Sequence, residues 1–387
     1  MQYRKGLSVL GFGCMRLPRS AGRIDLDACE ALFRQAVEAG VNYFDTAYVY
    51  PGSEEAVGTV LARAGLRDKI NLATKLPHQR CARYEDFERI FSEQLSRLRT
   101  DHIDYYLIHN IATPLRWQRV VDLGIKDWLA EKKESGQIRR VGFSFHGTLA
   151  DFGTVLDAYD WDFCQIQYNY SDENYQVGVG GLRKAHVKGL PVIIMEPLLG
   201  GKLATKLPRD ARALQQAARP DWSPARWGFS WLWNQPEPTV VLSGMNAEAQ
   251  LSDNLATADS AAVGMLNEDD ERTIDAVRAV IREAYKVPCT GCNYCMPCPN
   301  GVNIPGCFAG YNASYANGLM EGFKTYYMST SVDARGRRSV ASSCRRCGAC
   351  EKKCPQHIAI MSELDQVRKR MEPFWSSPIL GIARKFM

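Results

Sequence analysis

Eight short apolar runs alternate with helix-patterned stretches between Ser8 and Met245, and this alternation limits the fold more than any other feature. The runs are SVLGFGCMRL, VNYFDTA, INLATKL, IDYYLIH, RRVGFSF, FCQIQYNY, PVIIMEP and TVVLSGM. They are rich in Val, Ile and Tyr, as strands covered on both faces require. Between them, Leu26–Gly40 carries Ala28, Leu32, Phe33, Ala36 and Val37 at helical spacing and stops at Gly40. Phe87–Leu98 does the same with Ile90, Phe91, Leu95 and Leu98. Such a series predicts a closed parallel (β/α)8 TIM barrel over residues 1–265. An open doubly wound sheet is the rival, but no strand runs into a G-x-G-x-x-G turn. Gly11 and Gly13 lack the third glycine, and Gly178, Gly180 and Gly181 lie in a polar loop.

An amphipathic helix is expected over Asn267–Tyr285, with Ile274, Val277, Ile281 and Tyr285 as its apolar stripe and Pro288 beyond its end. It marks a connecting segment, 266–288. Residues 289–387 then form a second, ferredoxin-like domain with a basic helical tail around Met361–Met371. Nine of the 13 cysteines fall between Cys289 and Cys354. One run is Cys344-x-x-Cys347-x-x-Cys350-x-x-x-Cys354-Pro355, the spacing that wraps three thiolates around one iron-sulfur cubane and sends the fourth to another. The other is Cys289-x-x-Cys292-x-x-Cys295-x-x-Cys298-Pro299, one residue shorter before its last cysteine. Paired as in two-cluster ferredoxins, Cys289, Cys292, Cys295 and Cys354 hold one 4Fe-4S cluster. Cys344, Cys347, Cys350 and Cys298 hold the other, with Cys307 the alternative to Cys298. Structural zinc is the competing use of two C-x-x-C pairs, but eight cysteines in this order exceed one zinc ion's needs.

Charge excludes other classes. The chain of 387 residues has 48 basic and 43 acidic side chains, a net +5 spread along its length, with no footprint for nucleic acid. No apolar run is long enough to span a bilayer. Gly6, Gly11 and Gly13 interrupt the apolar stretch at the N-terminus, so it reads as a first strand rather than a signal peptide, and a cytoplasmic location is expected.

Active sites of such barrels lie at the C-terminal strand ends. Those ends carry Asp45, Tyr50, Lys75 and His109. The set suits acid catalysis. A tyrosine ordinarily ionises near pH ~10, too high for easy proton exchange near neutrality. An adjacent ammonium favours tyrosinate, a carboxylate holds the ammonium, and a histidine orients a carbonyl. A buried Asp45–Lys75 ion pair closing the barrel end is the bland reading of two of these residues.

These motifs resemble the aldo-keto reductase family. NYFDTAYVY-x-x-SEEAVG, LATKL, LIHN, RRVGFS, QIQYN, PLLGGKL and LSGMNAEAQLSDNL follow the family's order over roughly residues 1–260. The resemblance implies hydride transfer between a nicotinamide cofactor and a small carbonyl or alcohol substrate. Asp45, Tyr50, Lys75 and His109 match the catalytic tetrad, with Tyr50 as acid/base and Tyr48 as the rival tyrosine. Ser144 and Gln165 match residues that hold the nicotinamide carboxamide. Met195 stands where a stacking tyrosine is usual, and Phe145 where an asparagine is usual. Ser243, Gly244, Met245, Asn246, Gln250 and Asn254 match the loop that grips the adenosine end. NADPH is the family's usual cofactor. Yet that loop carries no arginine or lysine, while Glu248 and Asp253 are acidic, so NADH stands beside it. Both halves together look like a subgroup with a C-terminal 4Fe-4S domain.

Other residues have plainer readings. Trp227, Trp231 and Trp233 read as packing, and His146 and Glu196 as site variants or structural groups. Arg335–Arg338 and Arg345–Arg346 read as solvated loop or a docking face for a ferredoxin-like or other electron-transfer partner. The competing function is an iron-sulfur electron-transfer protein whose barrel binds a partner without nicotinamide turnover.

Overall fold

The computed structural model describes residues 1–330 and 339–373. The eight expected runs form eight strands: β1 Leu10–Gly13, β2 Tyr43–Asp45, β3 Asn71–Leu76, β4 Ile103–Ile108, β5 Ile138–Phe145, β6 Phe163–Gln167, β7 Val192–Met195 and β8 Pro238–Ser243. They pair in parallel in chain order, and β8 pairs with β1, so the barrel closes without a free edge. Two-residue antiparallel ribbons, Tyr3–Arg4 with Leu7–Ser8 and Arg19–Ser20 with Arg23–Ile24, flank β1. The barrel lumen is filled, not hollow: Leu7, Tyr43, Ala73, Leu107, Phe163, Ile193 and Val240 form one buried cluster.

Helices α1 Leu26–Glu38, α2 Ser53–Ala64, α3 Glu85–Leu98, α4 Pro114–Asp122, α5 Ile125–Glu134, α6 Leu149–Asp157 and α7 Gly178–Val187 follow the first six strands. The Asp25 side chain caps α1 by accepting from the Ala28 amide, and Gly40 at φ 93° lets the chain leave it. Gly58 lets α2 lie against the end of α3. A Cβ there would stand 2.3 Å from the Arg97 carbonyl oxygen.

The chain divides into two compact units, one of Met1–Leu198 with Ala225–Asn267, the other of Leu199–Pro224 with the residues from Glu268 onward. The segment after β7, which a linear reading leaves inside the barrel, thus groups with the C-terminal unit. The reason is packing: α9 Arg209–Ala218, which follows the short α8 Lys202–Thr205, lies against α12 Glu268–Ala284. There Arg219 makes a two-pronged ion pair with buried Asp270 at 2.9 Å. Trp227, Trp231 and Trp233 lie on α10 Pro224–Trp233 and are buried, as packing residues should be. Helix α11 Glu248–Asp259 completes the barrel unit. The C-terminal unit adds α13 Ile304–Ala316, α14 Leu319–Thr330 and α15 Ile360–Met371 around Phe308, Tyr311, Phe323, Tyr326, Leu364 and Val367. Among the described residues, no helix is long and apolar enough to cross a membrane.

Candidate active site and iron-sulfur centres

Parallel strands in register bring distant residues to one end of the barrel. Asp45 closes β2, Lys75 lies next to last in β3, and His109 follows β4. Lys75 Nζ donates to Asp45 Oδ1 at 2.6 Å and to the Thr46 carbonyl at 2.7 Å. Lys75 is 1% exposed and Asp45 4%. The second carboxylate oxygen, Oδ2, accepts from Gln165 Nε2 at 2.9 Å, across 120 residues of sequence. Burial of these charges is tolerable because each has a partner with good geometry.

Tyr50 sits in the turn that enters α2: its amide donates to the Ala47 carbonyl, and its carbonyl accepts from the Ser53 amide. Its ring lies 5.2 Å from Lys75 Nζ and meets the His109 ring edge-on at 6.3 Å. Tyr48 points elsewhere, donating to Glu93 Oε2 at 2.8 Å with its ring 4.3 Å from the Arg97 guanidinium. Burial, then the nearby Lys75 ammonium, holds the His109 pKa well below the usual imidazole value, so its ring is neutral near pH 7. His78 behaves likewise, pushed down to about 4 chiefly by burial. Sequence reasoning missed His78, because a histidine two residues after a strand carries no periodic or motif signal.

The residues matched to the nicotinamide end are neighbours. Ser144 of β5 pairs in register with Gln165 of β6. Ser144 Oγ accepts from the Asn110 amide at 2.8 Å, so its hydroxyl proton points to another acceptor. Gln165 spends its amide nitrogen on Asp45 and has a carbonyl oxygen to offer. A hydroxyl donor beside an amide acceptor complements a carboxamide. Two buried acceptors, Asn110 Oδ1 and Gln167 Oε1, have no protein partner, which also fits a polar ligand. Met195 is half-buried at the end of β7. Ser243 Oγ accepts from Asn254 Nδ2 at 2.9 Å, and Gln250 Oε1 accepts from the Asn246 amide at 3.0 Å. These bonds pin the loop holding exposed Gly244 and buried Met245 to the start of α11. His146 is buried, 3.2 Å from Gln176 Oε1. Glu196 follows β7 with φ 54°.

In the C-terminal unit, Cys289, Cys292, Cys295 and Cys354 line one hollow of about 310 Å³ with Ile304, Phe308 and Ile358. Four thiols facing an apolar space suit a cluster rather than disulfides, and every described cysteine is a free thiol. Cys298, Cys344 and Cys350 pack on the same apolar core. Asn300, two residues after Cys298, reaches Cys347 Sγ at 3.8 Å, so the two loops meet. Cys307 is fully buried, with its thiol directed at the Ser339 carbonyl at 3.9 Å and the Tyr326 hydroxyl at 4.0 Å. Arg346 is exposed and pairs with Asp365, whereas Arg335–Arg338 lie outside the described residues.

Comparison with known proteins agrees with both halves. The model of the Aldo/keto reductase family matches residues 9–279, and that of a 4Fe-4S dicluster domain matches 288–360. The chain is 29% identical to a 6-dehydroglucose reductase of Novosphingobium aromaticivorans, over 64% of this chain and 85% of that protein. It is 27% identical to an L-galactose dehydrogenase of Arabidopsis thaliana, over 71% of this chain and 91% of the other. An aldo/keto reductase from Klebsiella pneumoniae in complex with NADP and acetate shares the fold at TM-score 0.58 and 23% identity, covering 70% of this chain and 92% of that one.

Proposed function

This chain belongs to the aldo/keto reductase family and carries a ferredoxin-type 4Fe-4S domain, and from that premise we propose that it moves hydride between NAD(P)H and a small carbonyl or alcohol substrate. One observation carries the reading: Tyr50 stands beside both Lys75 and His109, while Asp45 holds Lys75. The bound nicotinamide supplies the hydride. Tyr50 gives its phenolic proton to the substrate oxygen, and the Lys75 ammonium stabilises the phenolate left behind. His109, neutral, donates or accepts a hydrogen bond at that oxygen without adding charge. Asp45 positions Lys75 and, through Gln165, fixes the residue that faces the carboxamide. Ser144 would donate to that carboxamide, Met195 would line the nicotinamide end, and Ser243, Gly244, Met245, Asn246, Gln250 and Asn254 would hold the adenosine end. NADP in the Klebsiella complex supports NADPH, and the acidic loop of this chain keeps NADH as the alternative to test.

The C-terminal domain holds two 4Fe-4S clusters in this reading. Cys289, Cys292, Cys295 and Cys354 ligate one; Cys298, Cys344, Cys347 and Cys350 ligate the other. The hollow shared by the first set supports it, and the bonds already made by Cys307 favour Cys298 over it. The clusters, when assembled, supply one-electron capacity. A cytoplasmic location belongs to the same proposal, since a reducing compartment keeps such thiols available to clusters.

The test is anaerobic turnover of NADPH and NADH with a panel of aldehydes and ketones, in the parent and in Tyr50→Phe. The variant should fold, bind cofactor and lose turnover; retained turnover overturns the tetrad. A reduced cluster that is reoxidised by a carbonyl substrate with no nicotinamide present would favour the competing electron-transfer role.

A further inference from the structure

The C-terminal unit contains a second cleft, remote in sequence from the tetrad. It is open to solvent and, with its mouth included, spans about 1000 Å³ between the segment around α8 and α9 on one side and helices α13 and α14 on the other. That is ample for a small organic ligand. One wall is cationic: Lys202, Lys206, Arg209 and Arg212 line it, against a single carboxylate, Glu321. Glu321 is itself within 4.0 Å of Lys324. Arg209 and Arg212 are three residues apart on one face of α9, and Lys206 lies just past the end of α8. Like charges so placed repel and lower helix stability unless an anion joins them.

The opposite wall is mixed, with small apolar residues beside Asn317 and Thr325. Ala309, Ala313 and Ala316 recur on one face of α13, and Tyr285 offers an aromatic ring. The floor is already satisfied: buried Asn312 exchanges two hydrogen bonds with the Val287 backbone, at 2.7 and 3.0 Å. Charge recognition therefore belongs to the wall of lysines and arginines, and shape recognition to the alanines. Lys202 is engaged with the Cys289 carbonyl, and the two guanidiniums and the ammonium of Arg209, Arg212 and Lys206 match a phosphate dianion, which arginine grips with two parallel bonds.

We propose that this cleft binds a phosphomonoester with a flat, largely apolar body. The site adjoins the cluster domain's first cysteine, because Lys202 Nζ donates to the Cys289 carbonyl and lies 5.8 Å from the Tyr285 ring centre. The proposal does not depend on the tetrad.

The experiment uses the full, cluster-loaded chain under anaerobic conditions, with flavin mononucleotide as probe. Riboflavin supplies the same body without phosphate, and inorganic phosphate supplies the anion alone. Flavin mononucleotide should bind saturably, at least tenfold tighter than either control. Arg209→Glu/Arg212→Glu should weaken it at least tenfold, and Ala313→Trp should do the same from the uncharged wall. Both variants should keep the parent's iron content and its KM for NADPH. Equal binding of riboflavin, absence of saturable binding, or unchanged binding in both variants overturns the proposal. A parallel rise in the KM for NADPH also overturns it, by showing that the cleft serves the nicotinamide cofactor's own phosphates.

Discussion

Asp45→Asn is the most exacting test of the barrel site, because one substitution strikes two bonds whose geometry is known. The carboxylate accepts Lys75 Nζ at 2.6 Å and Gln165 Nε2 at 2.9 Å, and both charged groups are almost wholly buried. Asparagine keeps the shape and one acceptor oxygen but removes the charge. The Lys75 ammonium is then left with the Thr46 carbonyl at 2.7 Å as its neutral partner. Removing one member of a buried ion pair costs about 3–5 kcal/mol, most of it for the charge left behind. Part returns through the retained amide oxygen, so about 3 kcal/mol is the working figure. In a domain of the barrel's size each kcal/mol moves Tm by ~2–4 °C, giving a fall of roughly 10 °C. Tryptophan fluorescence reads the barrel transition, since Trp117, Trp128, Trp161, Trp227, Trp231 and Trp233 are buried there. Turnover should fall with Tm, because Lys75 and Gln165 both lose their fixed positions. A Tm within about 2 °C of the parent, with full turnover, would refute the argument that this pair organises the site.

The remaining predictions address other links. His78 has its folded pKa depressed from 6.5 to about 4, so the unfolded chain binds the extra proton first and acidification destabilises the fold. Between pH 7 and pH 5 that loss is ~2 kcal/mol, and His78→Gln should flatten the dependence of Tm on pH over that window. Burial and then Lys75 also hold His109 well below the usual imidazole value, so its ring resonances should show no midpoint near 6.5; a midpoint there would contradict its assignment as a neutral group. Two complete clusters correspond to about eight irons per chain. Cys354→Ser should lose about half of that iron and Cys307→Ser none; loss in Cys307→Ser, with Cys298→Ser unaffected, would move the ligand. Gly58→Ala forces a methyl into the Arg97 and Leu98 backbone and should destabilise the barrel by about 1–3 kcal/mol in urea unfolding.

Local pattern carried much of this protein. The eight strands are legible because strands covered on both faces must be apolar throughout, and all eight runs lie where that rule puts them. The cysteine runs are legible because ligand spacing is written along the chain. Asp45, Lys75 and His109 could be picked out because a barrel strand ends where its apolar run ends. Contacts made at a distance were not legible. That Gln165 braces Asp45 depends on strands β2 and β6 facing each other across a closed barrel, which no local signal states. The resemblance already preferred Tyr50 to Tyr48 by its spacing from Asp45; the structure adds that the Tyr50 ring lies beside Lys75 while the Tyr48 hydroxyl goes to Glu93. Ferredoxin spacing already implied that Cys354 joins the first run, and the hollow they line together agrees with it, whereas the cleft lined by α9 and α13 arises only when segments far apart in sequence are packed together. Periodicity and spacing are properties of neighbours along the chain. Catalytic geometry, ligand sets and cavities are properties of neighbours in space.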